Sequence, residues 1–539
     1  MASSRVVVVG AGIGGLSAAM LLAAAGCDVV VVERAATPGG KMREIALGGA
    51  AIDAGPTVFT MRWVFDELFA DAGATFADAV RLAPAGLLAR HAWSENERLD
   101  LHADPEASAA AIGDFAGAAE AQGFRAFCRA ARMTYLALER TFLTASRPSA
   151  PGLVARMGLS GLRQFRHTNP MASMWTELGR YFADPRLRQL FGRYATYVGS
   201  SPFAAPSTLM LIAHVEQDGV WLVEGGMHHL ARAMAATAEA RGARIRYGCE
   251  VAEIAADRHG RATAVVLASG ERLAADAVVF NGDTAALAAG LAGEAARRAV
   301  PRHAPATRSL SAVTFAMEAE VGGFPLVRHT VFFSGDYRDE FDAIFTRGRP
   351  PTDPTVYVCA QDRDDRGPDP TRAARPPVPE RIFCLLNAPA TVAPRAAEGD
   401  APDTSWSNPL EIERCRLRMD RRLAACGLTL TAAPRTTAVT TPSDFARLFP
   451  GSGGALYGMA SHGWMASFRR PAARTRMAGL HLAGGSVHPG AGVPMAALSG
   501  RQAAQSVLRD LASRRRFLPA AMPGGTSTAS ATTAATRSR

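Results

Sequence analysis

Residues 6–9 are four consecutive valines, followed at once by glycines at positions 10 and 12. An unbroken β-branched run of this kind is the pattern of a strand buried on both faces, as parallel sheets require. Residues 16–25 are rich in Ala and Leu and predict a helix, which Gly26 closes. Residues 29–32 repeat the valine-rich run and end at Glu33. Strand, glycine turn, helix and strand thus form a βαβ unit at the start of the chain.

Between about 60 and 245 the pattern becomes mostly helical. Phe65, Leu68 and Phe69, and later Leu187, Leu190 and Phe191, recur at helical spacing. Pro148, Pro151, Pro170 and Pro202 punctuate the region. A helix is predicted over 227–241, ending before Gly242. Strands are predicted at 244–247, 250–254, 263–267 and 277–280, and again at 309–317, 330–333, 355–359 and 382–386. A Pro/Arg-rich loop falls at about 363–380. A strand at 480–483 leads through glycines into a helix from Met495. The Ser/Thr/Ala-rich end has few large apolar residues and reads as a disordered tail over 516–539. No internal repeat is visible.

Composition narrows the class. The chain has 539 residues, 48% hydrophobic and 20% charged, enough for several packed domains. The net charge of +10 is spread along the chain, and only 7% of residues are aromatic, so no nucleic-acid stripe is expected. Seven well-separated cysteines without a CxxC argue against a disulfide framework or a metal site and suit a reducing compartment. No stretch is long and apolar enough to span a bilayer. The expectation is a chain that is soluble or rests on a membrane surface.

Gly10-Ala11-Gly12-Ile13-Gly14-Gly15 carries GxGxxG between a strand and a helix. Gly10 permits the tight turn, Gly12 lets the backbone approach a pyrophosphate, and Gly15 allows close helix–strand packing around Gly14. The helix N-terminus offers N–H groups and a positive dipole end to phosphates. Glu33 lies where a carboxylate accepts ribose hydroxyls, favouring a 2′-hydroxyl over a 2′-phosphate. FAD and NAD share this half of the signature.

The following segments separate them. Pro38-Gly39-Gly40-Lys41, Asp53-Ala54-Gly55-Pro56-Thr57, and late in the chain Gly479-Leu480-His481-Leu482-Ala483-Gly484-Gly485 and His488-Pro489-Gly490-Ala491-Gly492-Val493-Pro494 resemble the FAD signatures of the amine-oxidase and carotenoid-desaturase superfamily. The resemblance implies that Lys41, beside Gly40, reaches the dinucleotide phosphates, and that Gly55, Pro56 and Thr57 belong to the same FAD-binding start. It places Val251 beside the adenine and Gly484 and Gly485 against the pyrophosphate. Gly492, Val493 and Pro494 would open a helix that faces the flavin and stabilises its reduced form. No second dinucleotide signature points to NAD(P).

From 5 to 511 the chain resembles the bacterial phytoene-desaturase-type carotenoid desaturases. Leu190-Phe191-Gly192-Arg193-Tyr194-Ala195-Thr196-Tyr197-Val198-Gly199, with Val331-Phe332-Phe333 and Cys359-Ala360-Gln361-Asp362-Arg363, is similar to the hydroxycarotenoid 3,4-desaturase (methoxyneurosporene dehydrogenase) branch. The implied architecture is α/β. A Rossmann-like FAD-binding domain comes from 1–75, 226–290 and 470–515, a helical, membrane-facing substrate region from 76–225, and a mixed β-sheet substrate domain from 291–469.

The implied reaction removes two hydrogens from C3–C4 of an acyclic 1-hydroxycarotenoid, such as 1-hydroxyneurosporene or its methoxy derivative. The implied partners are that carotenoid, a membrane lipid surface, and oxygen or a quinone as electron acceptor, without nucleic acid. The implied location is cytoplasmic, peripheral to the inner, photosynthetic membrane. A phytoene desaturase, a redox-neutral FAD-dependent carotenoid isomerase, a flavin-containing carotenoid carrier and an amine oxidase stay open as alternatives. An apolar entrance is expected within 130–225, where Phe142, Leu143, Trp175, Tyr181, Phe182 and Trp221 either line it or fill the core. His488, Glu224 and Arg193 are polar candidates near the substrate, and no catalytic base is assigned.

Overall fold

In a computed structural model of the chain, residues 3–146, 152–153, 169, 171–301, 308–363, 378–391, 406 and 408–517 are described. Of the tail expected over 516–539, residues 516–517 instead end a helix; its remainder and most of the 363–380 loop lie outside the described residues, as do Pro148, Pro151, Pro170 and part of 130–225.

The first valine run forms the strand Arg5–Val9, central in a five-stranded parallel sheet. Its neighbours are Asp28–Val32 on one side and Ala277–Phe280 on the other. Arg244–Arg246 and Leu480–Leu482 form the edges. Burial explains the composition. Val6 and Val8 face helices Ile13–Ala24, Met227–Ala240 and Val493–Phe517, while Val7 and Val9 face an antiparallel sheet of Val251–Ala256, Ala262–Leu267 and Arg272–Ala274. Each fully buried valine contributes roughly 1.5–3 kcal/mol of transfer free energy. Residues from both ends of the sequence therefore meet in one layer.

The second body is an eight-stranded mixed sheet. Its order is Leu428–Thr431, Ser311–Gly323, Glu380–Ala388, Val356–Ala360, His329–Phe332, Leu87–Ala92 and Arg98–His102, with Thr437–Thr440 also paired to Ser311–Gly323. Leu87–Ala92 runs parallel to His329–Phe332, with Thr330 opposite Arg90. The stretch read as mostly helical thus contributes strands here, and in Leu82–Pro84 and Val220–Val223. Leu87–Ala92 reads LLARHA, poor in β-branched residues and without strict alternation, so tertiary pairing overrides a weak local preference. Helices Ala118–Leu138 and Pro185–Gly192 cover this sheet through a Phe127, Phe182 and Phe191 cluster, with Phe182 and Phe191 stacked at 4.8 Å. Among the described residues, no helix is long and apolar enough to cross a membrane.

Candidate active site

The carboxyl ends of the first parallel strands open onto a cavity of about 1170 Å³, the place where open α/β sheets take their ligands. A single small-molecule pocket usually spans about 300–1,000 Å³, so this one has room for a large cofactor and part of a second ligand. Gly10, Gly12 and Gly14 line it from the start of the chain, and Gly484, Gly485, Gly492, Val493 and Pro494 from near its end. The two loops touch. A β-carbon on Gly14 would come within 2.7 Å of the Gly484 nitrogen. Gly15 packs inward, where a β-carbon would overlap the Gly10 carbonyl oxygen. Asn281 bridges the loops, donating from Nδ2 to that same carbonyl at 3.4 Å while its side chain packs against Gly484.

Helix Ile13–Ala24 begins without a side-chain cap and without an acid in its first turn. Its amino end is left available to an anion. Glu33 Oε2 accepts from the Ala11 N–H at 2.6 Å, and Oε1 from the Ala35 N–H at 2.8 Å. The carboxylate thus fixes the glycine loop and keeps spare lone pairs for a further donor. Gly40, Gly55, Pro56, Thr57 and Val251 also line the cavity.

Lys41 is in the wall, with Nζ donating to the Leu456 carbonyl at 2.5 Å above the Phe449 ring. Burial pushes its pKa down, against the attraction of Asp283. Asp283 Oδ1 caps the helix Thr284–Ala288 through the Ala285 N–H, and Oδ2 is buried with no partner. An empty buried acceptor costs about 1–3 kcal/mol, and a hydroxyl of a bound ligand removes that cost. Uncapped helix amides for phosphate, two carboxylates for hydroxyls and a half-buried cation are a donor and acceptor set that fits a flavin dinucleotide.

Arg470 braces the C-terminal loop. Nη1 donates to the carbonyls of Tyr457 and Gly485 at 3.2 and 3.0 Å, and Nη2 to Met459 at 2.9 Å. Burial lowers its pKa to about 10. The remaining wall includes Leu138, Phe142, Leu143, Leu211, Ile212 and Val215, an apolar surface. Arg193, Tyr197 and Tyr357 also line the cavity. Arg193 Nη1 donates to the Tyr197 hydroxyl at 2.9 Å, and its guanidinium stands 5.2 and 5.3 Å from the Tyr197 and Tyr357 ring centres.

The sequence pattern of flavin-containing amine oxidoreductases matches residues 13–373. The chain belongs to that family. The hydroxyneurosporene desaturase of Rubrivivax gelatinosus is 54% identical over 530 residues, 98% of each chain. That of Cereibacter sphaeroides is 46% identical over 512 residues, 95% of this chain and 99% of its own. Cyclohexylamine oxidase from Brevibacterium oxydans, 17% identical, shares the fold with a TM-score of 0.52, over 95% of this chain and 100% of its own.

This member of the flavin-containing amine oxidoreductases is an FAD-dependent oxidoreductase. Of its polar candidates, Arg193 lines the cavity. His488 is buried, with its Nε2 at 2.9 Å from the Phe142 carbonyl and its ring edge-on to the Phe142 ring. Glu224 is exposed. Phe142 and Leu143 are in the cavity wall, whereas Phe182 is core, and Trp175, Tyr181 and Trp221 pack against the cores. Tyr357 and Arg470 are not among the residues the sequence singles out. A tyrosine inside an otherwise apolar strand, VYVCA, was the available signal for the first.

Two neutral histidines flank Arg193. His329 Nδ1 lies 2.8 Å from the Tyr357 hydroxyl, and His91 stacks on Phe333. Burial first, with the positive charge of Arg193 among the further causes, holds each pKa at about 3. Their folded-state values lie below the unfolded value of 6.5, so the stability they support is complete above that pH and is lost as pH falls toward 3. Between pH 7 and 5 the loss is about 2 kcal/mol per histidine by linkage. Urea titrations at the two pH values are expected to show it, with the drop reduced in His91→Gln. A pH-independent midpoint contradicts the assignment of both rings as neutral.

Proposed function

We propose that the chain is a carotenoid desaturase that removes two hydrogens from C3–C4 of an acyclic 1-hydroxycarotenoid, such as 1-hydroxyneurosporene or its methoxy derivative. The near-full-length identity to hydroxyneurosporene desaturases carries this reading. The apolar cavity wall supports it, because a long polyene needs a dry, extended surface.

In the same proposal Gly10, Gly12, Gly14 and the amino end of Ile13–Ala24 hold the pyrophosphate. Gly10 also permits the tight turn, and Gly15 the close packing of helix against strand. Gly40, Gly55, Pro56 and Thr57 flank the cofactor, and Lys41 supplies positive charge toward the phosphates. Glu33 takes the ribose hydroxyls and Val251 contacts the adenine. Gly484 and Gly485 close over the phosphates, and Gly492, Val493 and Pro494 present a helix terminus to the flavin.

Bound FAD supplies the two-electron acceptor for hydride loss from an allylic carbon. Leu138, Phe142, Leu143, Leu211, Ile212 and Val215 hold the polyene and exclude water. The positive charge left on carbon is then spread along the conjugated chain rather than trapped by bulk solvent, and a base or a water molecule takes the proton from the neighbouring carbon to complete the double bond. The carotenoid is insoluble in water and is drawn from a lipid surface, and in this reading the enzyme rests peripherally on the cytoplasmic side of the photosynthetic membrane. Oxygen or a membrane quinone takes the electrons.

The enzyme in liposomes with 1-hydroxyneurosporene and an acceptor is expected to shift the carotenoid absorption to longer wavelength by the increment of one added double bond. An unshifted spectrum from flavin-loaded enzyme contradicts the proposal.

A further inference from the structure

Arg193 is a half-buried cation whose hydrogen bond goes to a phenol, Tyr197, rather than to a carboxylate. Its surroundings leave it little else to bond. The Tyr357 hydroxyl is engaged by Thr57 at 2.6 Å and by His329 at 2.8 Å. Glu216 Oε2 accepts from Tyr194 at 2.7 Å, and Tyr197 also hydrogen-bonds Glu216. A guanidinium has five N–H donors and no acceptor, and Arg193 lines the same cavity as the apolar Leu138, Phe142, Leu143, Leu211, Ile212 and Val215, with the Glu216 charge acting on it from the wall. Such a group selects a ligand that brings an oxygen lone pair to the end of a hydrocarbon.

Resting on the desaturase reading above, we propose that Arg193, oriented by Tyr197 and Tyr357, is the subsite for the oxygenated end of the substrate. It takes a terminal hydroxyl or methoxy oxygen as hydrogen-bond acceptor. Both groups offer a lone pair, so both are accepted. A hydrocarbon end displaces water without replacing its bonds and leaves buried donors unpaired.

The same contact sets where the chemistry happens. Thr57 ties Tyr357 to the Gly55–Pro56–Thr57 loop, and Gly55 is pressed against the Lys41 carbonyl, leaving no room for a β-carbon. The oxygen anchor is therefore linked to the loops assigned to the cofactor. An oxygen on C1 held at Arg193 fixes the register of the nearby C3–C4 bond along the cavity. Arg193 is in this sense a specificity and positioning residue. Its signature is a loss of discrimination between substrates rather than a uniform loss of binding.

The test uses flavin-loaded enzyme reduced anaerobically with dithionite, so that no carotenoid is desaturated. Neurosporene and 1-hydroxyneurosporene are titrated in identical detergent micelles, and Kd is read from the carotenoid absorption shift. The wild type is expected to bind the hydroxylated form at least about 10-fold more tightly. Arg193→Met is expected to bring the two within about 3-fold by weakening only the hydroxylated one, and Tyr197→Phe to have an intermediate effect. Equal affinities in the wild type overturn the proposal, as does a preference that survives in Arg193→Met. Should Arg193→Met fail to retain flavin, Tyr197→Phe decides, and an unchanged preference there overturns it. Turnover by the oxidised wild type separates the two levels. Absence of desaturation with an Arg193-dependent binding preference removes the desaturase reading and leaves the oxygen subsite standing.

Discussion

Gly15→Ala is expected to give a protein purified without its yellow colour. The added methyl has nowhere to go, because its carbon would overlap the Gly10 carbonyl oxygen with Asn281 close by. Backbone cannot yield as a flexible side chain does, so helix Ile13–Ala24 must move away from the strand it follows. That displaces the helix amides assigned to the pyrophosphate. An overpacking cost of about 1–3 kcal/mol is roughly a 5- to 150-fold loss of FAD affinity when it falls on the bound geometry. Gly14→Ala is expected to act in the same direction from the other side, since its β-carbon meets Gly484 N and Cα at 2.7 and 2.9 Å. Flavin content per chain and the Kd for added FAD measure both. Full flavin occupancy in Gly15→Ala contradicts the packing account.

Arg470→Leu is the second large effect. Three carbonyls, of Tyr457, Met459 and Gly485, share this one buried guanidinium. Leucine fills part of the volume and bonds none of them. Leaving buried acceptors unpaired costs about 1–3 kcal/mol each, and more when the lost donor is charged. Partial relaxation and water entry reduce the sum, so a net loss of about 3–5 kcal/mol is expected, in the range for removing a partner from a buried charged network. The 457–459 and 484–485 segments come apart, so flavin affinity falls together with the thermal midpoint. Arg470→Lys keeps the charge but reaches fewer carbonyls, and is expected to fall between the two. Wild-type stability in Arg470→Leu contradicts the bracing role.

Which parts of this were legible in the sequence follows from how local the causes are. The valine runs, the GxGxxG turn and the strand Ala277–Phe280 are specified by residues within a few positions, and each lies where the pattern put it. The last helix begins at Val493 rather than 495, because a proline at the first turn gives up no intrahelical hydrogen bond. Ser311–Gly323 extends beyond the expected 309–317, held by Glu380–Ala388, Thr437–Thr440 and Leu428–Thr431 along its length. The strands at 87–92 and 98–102 form a hairpin with each other, missed because Leu87–Ala92 is poor in β-branched residues and its second partner, His329–Phe332, lies far along the chain. Arg193 stood out as polar, but its character depends on Tyr357, which sits 164 positions further on and was not singled out. Arg470 derives its role wholly from tertiary contacts, and Asp283, beyond the helix it caps, takes its place in the cavity from the fold.

The central claim is that loops from the two ends of the chain hold one flavin against a polyene that it oxidises. Anaerobic mixing of lipid-reconstituted enzyme with 1-hydroxyneurosporene tests it most directly, with flavin absorbance and product mass followed together. The account predicts bleaching of the flavin in step with loss of two hydrogens from the carotenoid, in equal amounts. Oxidised flavin that stays unbleached while the carotenoid is bound, or a changed carotenoid of unchanged mass, contradicts it.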